Sequence, residues 1–292
     1  MSFRLLIVLA VTVMTCSAVA AELVPDAPSA PLQPEPPDVG LNVLNPSAVA
    51  PVEEAFLNII EPAPDSEVRE GRKITIRWES SGPIEQVRLY YSYDLCPLAG
   101  KSRGSYGHIL YNQMIPNFTE APWTVPWMDT DAFRLRIAGY TRDGEQIADH
   151  EIGVRFRPAE LADLPAHAIG IIKKRQRLYY YEGGRVRRMH VVSTAAPGYT
   201  TPTMRPGSYD RRRGAMGKVF GKQTSAWSRR YNCAMPYWLQ ITASGSHGIH
   251  ATSAPYYRYL GRPASHGCVR QHNADAKVLF GMVAVGTPVY VF

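Results

Sequence analysis

The feature that most constrains this chain is a two-residue period. Between residues 59 and 158, apolar side chains alternate with charged or polar ones. Ile74, Ile76 and Trp78 alternate with Lys73, Thr75, Arg77 and Glu79, and Phe133, Leu135 and Ile137 with Arg134 and Arg136. Val154 and Phe156 do the same with Arg155 and Arg157. Successive residues of a strand point to opposite faces, so this pattern means strands with one face in a core and one in water. Gly71, Gly82, Pro83, Asp143 and Gly144 punctuate the runs as turns. Short strands between regular turn signals predict a β-sandwich over 59–160. Trp78, Trp123 and Trp127 are expected to pack in its core rather than to bind carbohydrate.

A second β-rich segment begins at Ala168. The stretch from Ile169 to Tyr181 carries Ile171, Ile172, Leu178, Tyr179 and Tyr180, Glu182-Gly183-Gly184 reads as a tight turn, and 186–192 as the returning strand, a hairpin signal. Residues 238–241 and 285–292 read as further strands. Only 273–283 carries apolar residues at helical spacing (Ala274, Val278, Leu279 and Met282), with Asn273 placed to cap it. The expected fold class is therefore mostly β, with two β-rich parts and one short helix.

Charge separates these parts. The 292 residues are 45% apolar and 20% charged, which excludes a wholly disordered or collagen-like chain. The net +7 is unevenly spread: residues 22–68 carry −9, 69–164 carry −1, and 165–292 carry +16. A domain border near 165 follows, and the C-terminal part should attract anionic partners.

The N-terminus reads as an address. Arg4, the apolar run from Leu5 to Met14, and Ala18-Val19-Ala20 form a secretory signal over 1–20, cleaved before Ala21. The run falls short of the ~20 apolar residues a spanning helix needs, and no later segment reaches that length. Thr15 is a poor residue before a lipidated Cys16. Residues 21–58 are acidic and rich in proline, with eight prolines between residues 22 and 51 and no aromatic residue there. Such a stretch is expected to be an extended, disordered linker. The expected location is the periplasm or cell envelope. The runs Lys173-Lys174-Arg175 and Arg211-Arg212-Arg213 are then expected to face an anionic cell wall, since an exported chain seldom works on nucleic acid.

Once Cys16 leaves with the signal, Cys96, Cys233 and Cys268 remain. An odd number in an oxidising compartment leaves one thiol for another chain or for chemistry. Cys96 and Cys233 either pair across the two domains, leaving Cys268 free, or remain two unpaired buried thiols. Four of the eight histidines cluster with Cys268, at 247, 250, 266 and 272. A thiol is a nucleophile only as thiolate, and an imidazole that takes its proton makes it one. His250 is the candidate base. Gly267 lets the backbone approach a substrate, and the amides of Gly267 and Cys268 are candidates for holding an oxyanion. A helix starting near Asn273 would turn its positive end toward the thiolate. Zinc held by His247, His250, His266 and Cys268 is the competing reading, although the residues lack a usual structural zinc spacing.

Ile249-His250-Ala251-Thr252, then Ser265-His266-Gly267-Cys268-Val269-Arg270 with Asn273, resembles the active-site signature of the L,D-transpeptidase (YkuD) family. Gln176-Arg177-Leu178-Tyr179-Tyr180, Pro206-Gly207-Ser208-Tyr209 and Met235-Pro236-Tyr237-Trp238-Leu239 are also similar to that family. The likeness spans about 166–292. Ala251, where many members carry Gly, and Gln271, often apolar, depart from the pattern. The N-terminal strands resemble the Ig-like or fibronectin-type modules of bacterial surface enzymes. The resemblance implies a β-rich catalytic domain over 165–292 with Cys268 as nucleophile and His250 as general base. Ser265, His266, Gly267, Arg270, Ala251 and Asn273 would support the site or position substrate. It implies acyl transfer from a peptidoglycan tetrapeptide stem, with loss of terminal D-Ala, to an amine on a second stem or on an envelope lipoprotein, with no metal or organic cofactor. A hydrolase of the same fold and a non-catalytic wall-binding protein are the alternatives.

Overall fold

The computed structural model describes residues 54–96, 104–110 and 113–292. The expected signal peptide, and the expected linker up to residue 53, lie outside the described residues. The first nine strands are β1 (Phe56–Glu61), β2 (Glu67–Arg69), β3 (Lys73–Ser81), β4 (Gln86–Asp94), β5 (Gly104–His108), β6 (Ile115–Pro116), β7 (Glu120–Thr124), β8 (Ala132–Tyr140) and β9 (Gln146–Arg157). They form two sheets, ordered β1-β3-β7 and β2-β9-β8-β4-β5, with β6 also on β4. The alternating residues meet between the sheets: Ile76, Trp78, Leu135, Ile137, Val154 and Phe156 share one buried core. Two layers closing over their inward side chains make a β-sandwich.

Trp78 and Trp123 lie in that core, and the Trp78 indole Nε1 donates to Asn117 Oδ1 at 2.8 Å. The Asn117 amide in turn donates to Ser80 Oγ and Ile84 O, so this side chain is committed to the fold. Trp127 differs from the expectation. It is 37% exposed, and the Arg175 guanidinium lies 4.8 Å from its ring centre. A tryptophan just past the last strand of its sheet finds a cation at the domain border instead of a core.

The C-terminal strands are β10 (Ala168–Ile172), β11 (Arg177–Glu182), β12 (Arg185–Ser193), β13 (Tyr209–Asp210), β14 (Gly214–Ser228), β15 (Cys233–Thr242), β16 (Gly248–Ala251), β17 (Val269–Gln271) and β18 (Val289–Val291), with α1 (Asn273–Met282) between the last two. They join in the order β13-β14-β15-β16-β17-β12-β11-β10-β18. The β16–β17 and β10–β18 pairs are parallel. The stretch at 169–181 is thus two strands. A turn at Lys173-Lys174-Arg175 separates them, with Gln176 at φ +55°. The helix packs on β15 and β16, and Leu279 and Val283 join Leu239, Ile249 and Val269 in the core.

Ion pairs tie the sandwich to the second sheet. Arg177 grips Asp129 with two guanidinium nitrogens, Nε donating to Oδ1 at 2.6 Å. Arg175 reaches Glu70 at 2.7 Å and Glu160 at 3.2 Å, and Arg185 reaches Asp65 at 2.6 Å. Beside them Cys96 is buried against Val191 and Leu260, its Sγ 3.6 Å from Met189 O, while Cys233 is exposed at the end of the β14–β15 hairpin. Both thiols are free, which answers the alternative left open by the sequence: Cys96 and Cys233 do not pair, because the fold sends one into an apolar border pocket and the other to an exposed hairpin tip.

The Arg177 and Asp129 side chains are only 14% and 11% exposed. Removing one partner strands the other without water, at a cost of about 3–5 kcal/mol. Arg177→Ala is therefore expected to lower the urea denaturation midpoint sharply. Arg177→Met combined with Asp129→Leu should recover most of it, and equal losses in both variants would contradict this account.

Candidate active site

The site is built on the parallel β16–β17 pair. Ile249 is opposite Val269, His250 opposite Arg270, and Ala251 opposite Gln271. Cys268 immediately precedes β17, level with the start of β16 at Gly248. A Cβ on Gly248 would sit 2.5 Å from the Trp238 ring, so only glycine lets Trp238 pack flat beneath this strand. Trp238 is itself buried, with its ring centre 5.8 Å from that of His250.

Two hydroxyls fix the loop that presents the thiol. Ser265, fully buried, donates from Oγ to Cys268 O at 2.6 Å and accepts from Gly267 N at 3.0 Å. Thr201 Oγ1 donates to Gly267 O at 2.7 Å and accepts from Ala195 N at 3.0 Å. Gly267 holds φ +137°, and a Cβ there would lie 2.8 Å from His247 Nε2 and 3.1 Å from Thr200 O. His247 donates from Nε2 to Thr200 O at 3.0 Å, and its Nδ1 lies 3.0 Å from Ser246 Oγ. With both nitrogens occupied, His247 is a buttress under the loop rather than a metal ligand. Among the described residues, no group of three His, Cys, Asp or Glu side chains is placed to hold a metal ion.

Two sequence expectations change here. The Gly267 amide is spent on Ser265, so it is not available to an oxyanion in this geometry. The helix is capped by His272, whose Nδ1 accepts from Ala274 N at 3.3 Å, and Asn273 is an exposed first-turn residue. Strand β17 lies between Cys268 and that cap and carries the chain away at about 3.3 Å per residue. The helix field, which fades within a turn, is therefore not directed at the sulfur.

His250 donates from Nδ1 to Ala251 O at 2.7 Å, which leaves Nε2 with its lone pair. Burial lowers its pKa to about 4, with the nearby Arg270 charge adding to the effect and the Ala251 bond opposing it. The ring is a neutral base at ordinary pH. Burial pushes the Cys268 thiol up, while the Gly248 backbone and the Arg270 charge pull it down. Base and thiol both line a cavity of about 400 Å³, together with His266 and Arg270. Arg270 is steadied by Ala264 O at 3.2 Å. His266 is held between two rings: Tyr231 stacks on it at 4.3 Å and 9°, and Tyr199 meets it edge-on at 4.5 Å.

The fold thus brings Cys268, His250, His266 and Arg270 together around one cavity. Ser265 and Gly267 lie beneath it, and Ala251 contributes its carbonyl. Asn273 stands outside the cavity lining. Sequence reading missed Arg229, Arg230, Tyr231 and Cys233, which come from the β14–β15 hairpin tip. The only local signal was a basic pair flanked by aromatics at Trp227-Ser228-Arg229-Arg230-Tyr231.

Residues 166–291 match the family model of the YkuD L,D-transpeptidase catalytic domain. A comparison with curated protein sequences gives no match. Among solved structures, an L,D-transpeptidase from Mycobacterium smegmatis is similar at 15% identity, over 81% of this chain and 99% of that one, with a TM-score of 0.38. The catalytic domain of an Enterococcus faecium L,D-transpeptidase is similar at 25% identity, over 45% of this chain and 100% of that one, with a TM-score of 0.36. A crystal structure of a mutant E. faecium L,D-transpeptidase is similar at 24% identity, over 48% of this chain and 57% of that one, with a TM-score of 0.34.

Burial also lowers His190 to about 4, where Gln271 Nε2 donates to its Nδ1 at 3.0 Å. The unfolded chain takes up these protons first, near pH 6.5, so stability is full above that pH and is lost as pH falls toward 4. Each of the two histidines, His190 and His250, is expected to cost roughly 3 kcal/mol across that window. Urea titrations at pH 7.5 and 4.5 read this loss, and His190→Gln should make it smaller. An identical loss in the variant would contradict the assignment.

Proposed function

We propose that this chain is an exported enzyme whose YkuD domain moves the acyl group of a peptidoglycan tetrapeptide stem through a thioester on Cys268. The observation that carries the reading is a buried imidazole and a half-buried thiol lining one cavity, inside the segment that the family model matches. In this reading the N-terminal signal is removed before Ala21, the acidic segment is a spacer or a solubilising tail, and the sandwich at 59–160 precedes the catalytic domain at 165–292.

His250 Nε2 takes the Cys268 proton as the sulfur attacks the carbonyl that precedes the terminal D-Ala. The new S–C bond forms, and the C–N bond to D-Ala breaks with the proton passing from His250 to the leaving amine. The amine of an acceptor then gives its proton to His250 and attacks the thioester. The C–S bond breaks, and the thiolate regains a proton. The acceptor is a second stem or an envelope lipoprotein. Because burial favours the neutral thiol, the base acts during the attack rather than storing a resting ion pair. The Arg270 charge, which already favours the Cys268 thiolate and lines the same cavity, supports its role in stabilising negative charge that develops during the attack.

Purified protein incubated with disaccharide tetrapeptides is expected to yield dimers with loss of D-Ala, read by mass spectrometry. Cys268→Ala should yield none, and His250→Gln should slow thioester formation by about 10²–10⁴-fold. Shortened monomers without dimers would replace transfer by hydrolysis. Identical products from wild type and Cys268→Ala would remove the enzymatic reading.

A further inference from the structure

The tip of the β14–β15 hairpin brings to the thiol's cavity charge that no carboxylate among the described residues neutralises. Ser228 and Cys233 are the last paired residues of the hairpin, and residues 229–232 cross between them. The crossing is set by Asn232 at φ +47° and by the Tyr231 amide donating to Ser228 Oγ at 3.3 Å. The Tyr231 ring stacked on His266 docks the tip against the loop that carries Cys268. Arg229 and Arg230 thereby line the same cavity as Cys268.

Neither arginine has a carboxylate partner among the described residues. The Arg230 guanidinium lies over the Tyr231 ring, 5.5 Å from its centre, and its charge also acts on His266. Residues 165–292 contain only three acids, Glu182, Asp210 and Asp275. Glu182 faces Arg187 at 3.3 Å, Asp210 faces Arg213 at 3.1 Å, and Asp275 faces His190 at 4.0 Å. No Asp or Glu lines the cavity, which also holds Arg270. A guanidinium presents a planar fork that fits a carboxylate bidentately, and two forks beside a third cation form a field that only an anion relieves.

We propose that Arg229 and Arg230 form a carboxylate-recognition subsite that positions the anionic peptide donor over Cys268. The ligand is a peptide bearing free carboxylates close to its scissile bond. This rests on the reading of Cys268 as the acyl-accepting nucleophile, and it names residues that the motif around Cys268 does not contain. Arg229 and Arg230 act through binding, so their loss appears in donor capture more than in turnover.

The test separates this subsite from the reaction itself. Cys268 is alkylated with iodoacetate, an anion, and with iodoacetamide, its neutral counterpart, and the rates are read at Cys268 by peptide mass spectrometry. The ratio of anionic to neutral rate is expected to fall at least about fivefold in Arg229→Ala/Arg230→Ala, since two nearby charges are removed. Arg229→Lys/Arg230→Lys keeps the charge and should retain most of the ratio. With the tetrapeptide donor, the alanine variant is expected to raise KM at least about tenfold, a larger change than its fall in kcat, because charge-assisted pairs are lost. A donor with amidated carboxylates should lose this difference between wild type and variant. If wild type performs no transfer yet the alkylation ratio drops in the variant, the reaction assignment fails and the anion subsite stands. An alkylation ratio and a KM both unchanged in the alanine variant overturn the subsite, whatever the reaction.

Discussion

The parallel pairing of β16 with β17 is the constraint on which the rest of the site depends. Parallel strands cannot be joined by a tight turn. The chain must therefore leave at Ala251, run through residues 252–268 and return alongside. That excursion is where Ser265, His266 and Gly267 are placed, and the register fixes His250 beside Arg270. Trp238 presses on Gly248 from the neighbouring strand, so the pair sits against a flat ring that no side chain at 248 would allow. The hydroxyls of Ser265 and Thr201 and the ring of His247 then hold the returning loop at its last residues before the strand. Each makes two hydrogen bonds where one would leave a rotation free.

Electrostatics in the site follows from the same burial. The interior that raises the thiol also lowers His250, so both groups rest uncharged. A neutral pair in a buried place costs less than an ion pair, whose desolvation can exceed its attraction. The formal charge is kept outside, on Arg270 and on the hairpin tip. The +16 of residues 165–292 is thus not evenly solvated basicity. Part of it is spent on sandwich carboxylates at Glu70, Asp129 and Asp65, and part surrounds the cavity with no carboxylate partner among the described residues.

Most of the fold was legible because its signals are local. The alternation of Ile76 with Arg77 and of Leu135 with Arg136 is a strand property that needs no knowledge of partners. The residues around Cys268 were legible because they are contiguous in sequence. What stayed hidden depends on distance. The turn at Lys173-Lys174-Arg175 carries no Gly or Pro, and it is held by Gln176 in a left-handed conformation and by Lys173 bonding to Thr203 Oγ1 at 2.6 Å. Gln176 itself bonds Thr194 through both ends of its amide, a partner 18 residues on. The cap at His272 rather than Asn273 is a one-residue shift that depends on side-chain direction. Arg229 and Arg230 join Cys268 only because a hairpin tip folds back, and no spacing rule links residues on separate strands.

The border between the two β-rich parts shows why the sandwich matters to the site. Arg177 opens β11, and its partner Asp129 belongs to the sandwich. The strand it opens is hydrogen-bonded to β12, and β12 pairs with β17 through Val192–Gln271 and Ser193–Arg270. The ion pair at the border is therefore two strands from the residue opposite His250. The sequence of links is backbone hydrogen bonding throughout, which resists shear far better than side-chain contact. Glu70 holds Arg175 within the turn that precedes β11, and Trp127 covers the same guanidinium, so the turn is fixed from the sandwich side as well. In the same β10–β11 turn Lys173 bonds to Thr201 O at 3.3 Å. Thr201 is the residue whose hydroxyl holds Gly267, so a continuous series of polar contacts runs from the sandwich carboxylate at Glu70 through this turn to the Cys268 loop.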